Sequence, residues 1–111
     1  PYMYEPTSNR RMGVTRRYEH NNKKHYVNIQ YDELMLPRVV KIFSDTKQGT
    51  EYPDICHELS MNITERLQTR KNPTRALKVM AAAAPRRSDG YPCTIQGLVV
   101  DELIKSYYLE D

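Results

Sequence analysis

Residues 52–70, YPDICHELSMNITERLQTR, carry the strongest helical signature in the chain and limit what the rest can pack against. Ile55, Leu59, Ile63 and Leu67 recur at four-residue steps, which sets them along one slowly drifting stripe of a helix. Cys56 widens the stripe, while Glu58, Ser60, Asn62, Glu65 and Arg66 fall mostly on the other side. A short helix of this kind is stabilised by burying its stripe more than by intrinsic propensity. The flanking segments must therefore supply an apolar partner surface. The stripe speaks to architecture and carries no chemistry.

Candidate partners lie on both sides. Leu36, Val40 and Phe43 share a helical face flanked by Met35, Val39 and Ile42, which predicts a helix running from Pro37 toward Ser44, with the proline in the first turn. Residues 45–50, DTKQGT, read as a polar linker. Asn72-Pro73 reads as a cap followed by the first residue of another helix, over 73–84, with Ala76, Leu77, Met80 and Ala84 as a narrow apolar face. Residues 85–92, PRRSDGYP, carry turn chemistry at Asp89-Gly90. Thr94 is placed to cap a last helix, in which Val99, Val100, Leu103, Ile104 and Tyr107 form the stripe and Gly97 weakens the first turn. Together these segments predict a mainly α fold, a small bundle of three to four short helices over residues 31–111.

The first 30 residues read differently. Residues 1–12 contain two Pro and two Tyr without periodicity, the pattern of an extended arm ordered by a partner. Val14, Arg16 and Tyr18, then Val27, Ile29 and Tyr31, alternate with polar residues at a period of two. Asn21-Asn22 between them tolerates the positive φ of a tight turn. Two readings stand: a β-hairpin of 14–18 against 25–31, or an extended arm whose 27–31 segment joins the sheet edge of a neighbour. The domain division is then a basic, Tyr-rich arm over 1–30 and a helical domain over 31–111.

Charge separates the same two parts. Residues 1–30 carry six Lys or Arg against two Glu, a net +4, whereas the remainder, with eleven basic and twelve acidic residues, is net −1. Basic side chains interleaved with tyrosines suit a polyanionic or acidic partner surface. Tyr4, Arg10, Arg11, Arg16, Arg17, Tyr18, Lys23 and Lys24 are accordingly the candidate partner-binding residues. A second cluster, Arg70, Lys71, Arg75, Lys78, Arg86 and Arg87, offers an alternative nucleic-acid-binding site across the break between two helices.

Enzymatic chemistry finds little support. Cys56, Cys93 and the three histidines show no CxxC, HxxxH or HExxH spacing, so neither a metal nor another cofactor is expected. The four glycines, at 13, 49, 90 and 97, are isolated and form no phosphate loop. Asp32-Glu33 and Asp101-Glu102 diverge as sequence neighbours and read as solvated faces. The two thiols read as reduced, and no apolar run is long enough for a membrane span or a secretory signal. The expectation is a cytoplasmic, non-catalytic structural or adaptor subunit of a larger protein assembly, with cytoskeletal or nuclear association open and nucleic-acid binding as the alternative.

Overall fold

The computed structural model describes residues 13–45, 51–68 and 73–107. It overturns the mainly α expectation. The chain forms an α+β fold in which three antiparallel strands, β1 (Gly13–His20), β2 (Lys23–Tyr31) and β3 (Pro37–Ser44), precede three helices, α1 (Tyr52–Gln68), α2 (Thr74–Ala83) and α3 (Ile95–Tyr107). The sheet is a simple meander of order β1-β2-β3. Asn21 and Asn22 join β1 to β2 with φ of 52° and 64°. Positive φ at both central residues marks the turn type whose twist matches a two-residue hairpin. The hairpin is thus formed, but it is longer than 14–18 against 25–31. It is also integral to the body: β2 contributes Val27, Ile29 and Tyr31 to the same buried cluster as the helices.

The segment expected as the first helix is β3. Leu36, Val40 and Phe43 fit a helical face, yet the β-branched run of Val39, Val40 and Ile42 fits a strand equally well. Two strands alone are marginal in water, and a third strand beside β2 covers the other half of its hydrogen-bonding groups. In that conformation Val40 and Ile42 are buried and Phe43 is 53% exposed. The β2–β3 turn is held by Asp32, whose Oδ1 accepts from the amides of Leu34 (2.8 Å) and Leu36 (3.0 Å). Met35 closes that turn at φ 65°, a left-handed conformation unfavourable to a side chain with a Cβ. Met35→Gly is expected to raise stability by about 0.5 kcal/mol, after the entropic cost of glycine is subtracted; thermal unfolding of the two proteins checks it.

Helix α1 lies along the free edge of β3 and closes it with side chains. The Val40 N–H donates to Thr64 Oγ1, which donates back to the Val40 carbonyl, both at 3.0 Å. The Ile42 N–H donates to Ser60 Oγ at 2.8 Å, and Gln68 Nε2 donates to the Arg38 carbonyl at 3.2 Å. Ser60, Thr64 and Gln68 repeat every four residues, so one helix face meets the edge groups that alternate residues of a strand present. This geometry also corrects the expected stripe. Cys56, Ser60, Ile63 and Leu67 are buried, Leu59 is half-buried, and Ile55 is 42% exposed. Each four-residue step overshoots a turn by about 40°, so Ile55 has drifted about 80° from Ile63.

Helices α2 and α3 complete the core with Leu77, Ile95, Leu98, Val99, Val100 and Leu103. The Gly97 N–H donates to Thr94 Oγ1 at 3.0 Å, the cap expected for α3. Gly97 itself marks a close approach: a Cβ there would lie 3.0 Å from Pro92 Cβ and 3.3 Å from Ala84 Cβ. Among the described residues no helix is long and apolar enough to cross a membrane.

Candidate functional site

The sheet has one covered face and one open face. Cross-strand partners share a face, so the register assigns every side chain. Val27, Ile29, Val40 and Ile42 face the helices together with His25 and Tyr31. The other face is built from cross-strand rows. Thr15, Asn28 and Lys41 form one row, and Arg17, Tyr26 and Phe43 form the next. Glu19 and Lys24 pair beyond them, beside Asp45, whose amide donates to the Lys24 carbonyl at 3.3 Å.

The middle rows have a specific chemistry. Phe43 is the only phenylalanine in a chain without tryptophan. A side chain of its type is ordinarily among the most buried; here it stands in solvent beside the half-buried Tyr26 ring. Asn28 Nδ2 donates to Thr15 Oγ1 at 3.0 Å and Gln30 Nε2 donates to Asn28 Oδ1 at 3.1 Å, an amide ladder along the row ends. Each amide keeps a further N–H and lone pairs for a ligand. Arg17, Lys24 and Lys41 are exposed and form no ion pair among the described residues, with Glu19 and Asp45 beside Lys24 in the register.

No protein-family model, curated protein or solved structure matches this chain.

The candidate partner-binding residues divide between the two faces. Arg17 and Lys24 lie on the open face. Arg16 and Tyr18 lie on the covered one, where Arg16 Nη2 donates to Tyr107 Oη at 3.1 Å. Tyr107 Oη also shares a 2.5 Å hydrogen bond with Tyr31 Oη, tying the end of α3 to the sheet. Burial, with that bond, pushes the Tyr31 phenol up to about 12. Lys23 Nζ sits 4.2 Å from the centre of the Tyr52 ring. Tyr4, Arg10 and Arg11 lie outside the described residues.

Two residues of the second basic cluster are engaged in structure. Arg86 forms a two-pronged ion pair with Asp101 at 2.8 and 2.9 Å and donates to the carbonyls of Ala81 and Gly90. Arg87 pairs with Asp89 at 2.8 Å and lies 4.7 Å over the Tyr91 ring. Arg75 and Lys78 are exposed on α2, and Arg70 and Lys71 lie outside the described residues.

A cleft of about 540 Å³ between the helices is lined by His20, Tyr52, Leu59, Met80, Cys93 and Gln96, among others. His20 Nε2 donates to the Pro92 carbonyl at 3.0 Å, and its ring stacks on Tyr91. These contacts anchor the β1–β2 turn against the loop before α3. The exposed Cys93 thiol makes no hydrogen bond to an imidazole among the described residues. His25 is fully buried with Nε2 2.6 Å from Tyr52 Oη, and burial lowers its pKa. Among the described residues no group of three or more His, Cys, Asp or Glu could hold a metal ion.

Phe43, Asn28 and Lys41 are the site residues that sequence reasoning misses, and Tyr26 is among the tyrosines interleaved with the basic residues of the first 30 but not among the candidate contacts. For Tyr26 and Asn28 the signal is present, because period-two alternation through β2 places them opposite Val27 and Ile29. Phe43 and Lys41 become visible only once β3 is a strand.

Proposed function

We propose that this chain is a non-catalytic binding subunit of a larger assembly that holds a polyanionic partner against the open face of its sheet. The observation that carries this reading is the cross-strand row Arg17–Tyr26–Phe43, an arginine and two aromatic side chains on the solvent face of adjacent strands. Phe43 stands exposed beside the half-buried Tyr26 on the face away from the core, and aromatic and arginine side chains are enriched at binding surfaces. A cytoplasmic setting, with nuclear or cytoskeletal association, accompanies this reading.

A second reading has its own support. Helix α1 closes the β3 edge, whereas β1 has no second neighbouring strand among the described residues. An uncovered strand edge favours a protein partner that adds a strand to β1.

Heparin chromatography tests the first reading. The full chain is expected to be retained at low salt, and Arg17→Glu with Lys41→Glu to abolish retention while far-UV circular dichroism stays unchanged. Arg75→Glu with Lys78→Glu, on α2, is expected to leave retention intact. Loss of retention in the α2 variant alone would move the contact surface to the helices and defeat the proposal.

A further inference from the structure

We infer that the polyanion is a single-stranded nucleic acid, with bases stacked on Tyr26 and Phe43 and phosphates passing Arg17 and Lys41. The inference rests on the open face being the binding surface, and three features of that face narrow its occupant.

Charge alone is too sparse to hold a polyanion. Arg17, Lys24 and Lys41 are the cations of the described face, and with Glu19 and Asp45 beside Lys24 the phosphate contacts fall to Arg17 and Lys41. Two phosphate contacts give a salt slope of only about −1.4 on a single strand. The remaining affinity must come from the aromatic pair, and an acidic protein segment offers carboxylates but no flat partner for two rings. Bases do, and every base has a π-face.

The rings sit on adjacent strands as direct cross-strand partners. Such neighbours hold their Cβ atoms about 5 Å apart, so successive unstacked bases reach both. A duplex hides its base faces within its own stack, which excludes it from this mode. The Asn28 amide lies in the row beside the rings, where base edges would arrive. Its bond to Thr15 and the one it accepts from Gln30, one row further on, hold it in place before a ligand binds.

Fluorescence anisotropy with the full chain decides the matter. The probes are labelled 12-nucleotide single strands of DNA and RNA, a 12-base-pair duplex, polyphosphate and polyglutamate, all at low salt. The single strands are expected to bind more tightly than the other probes. Tyr26→Leu with Phe43→Leu is expected to weaken single-strand binding about thirtyfold or more while polyphosphate binding stays within about twofold. Arg17→Ala with Lys41→Ala is expected to reduce the salt slope by about 1.4. Because the chain lacks tryptophan, Phe43→Trp supplies a second readout that keeps an aromatic ring in place. Its fluorescence is expected to be quenched by single strands and unaffected by polyphosphate.

Equal binding of strands and polyphosphate, with no quenching and no effect of the leucine pair, would overturn the stacking inference and leave the polyanion reading standing. Binding of polyglutamate alone would do the same and identify the occupant as protein. If no probe binds at low salt, both fall.

Discussion

Asp32→Ala is expected to destabilise the protein by about 3–5 kcal/mol in urea unfolding, because it removes the carboxylate that pairs with a buried guanidinium. Asp32 Oδ2 accepts from Arg38 Nε at 2.8 Å, and Arg38 is only 8% exposed. Arg38 reaches on to donate to the Leu67 carbonyl at 2.7 Å, which is one of the C-terminal groups of α1 that intrahelical bonding leaves open. The same carboxylate accepts the Leu34 and Leu36 amides, so one side chain closes the β2–β3 turn and anchors the helix end. Burial pushes its pKa up, but the hydrogen bonds from Arg38 and the Leu36 and Leu34 amides outweigh it and leave the pKa below the usual carboxylate value. A depressed folded pKa means a contribution fully present above about pH 4 and lost as pH falls through the folded value. Stability of the unmodified chain should therefore drop below pH 4 more steeply than that of Asp32→Ala. Asp32→Asn combined with Arg38→Met should recover much of the loss, since it removes the buried charge as well. The turn also bears on the site: a one-residue slip of β3 would carry Phe43 to the covered face.

How much of this was legible in the sequence depends on how far each feature reaches through space. The hairpin is local, and the Asn21-Asn22 pair with alternating residues on both sides announces it. Helix α3 and its Thr94 cap are local too. β3 is not. Its eight residues satisfy a helical and an extended pattern alike, and what decides is the unmet hydrogen-bonding edge of β2, a partner remote from the residues themselves. The misreading then spreads: Phe43 taken as a helical core residue hides the Tyr26–Phe43 pair, and Arg16 taken as part of an arm misses its hydrogen bond to Tyr107 at the end of α3, 91 residues away. Gly97 reads as a weak helix position because its use lies in the approach of Pro92 and Ala84, which spacing does not reveal. Ser60 and Thr64 look like the solvated face of α1 for the same reason. Polar residues at helical spacing count as outward-facing until a strand edge is placed beside them.

That edge supplies the sharpest test of the architecture. Ser60→Ala with Thr64→Val is expected to cost about 3 kcal/mol, because three backbone groups lose their partners at about 1 kcal/mol or more each. The groups are the amides of Val40 and Ile42 and the carbonyl of Val40. Valine preserves the shape of threonine and alanine has the higher helix propensity, so neither packing nor helix formation explains a loss. Thr64→Ser keeps the hydroxyl and should retain most of the stability of the unmodified chain. The double variant also reopens the edge of β3 as a template for another chain, so it should self-associate in light scattering at concentrations where the unmodified protein does not. Urea unfolding within about 0.5 kcal/mol of the unmodified chain, together with unchanged scattering, would mean that water satisfies the edge as well as the hydroxyls do. In that case α1 would be held chiefly by the burial of Cys56, Ile63 and Leu67 and by its contacts with Arg38, and β3 would join β1 as a surface open to strand addition.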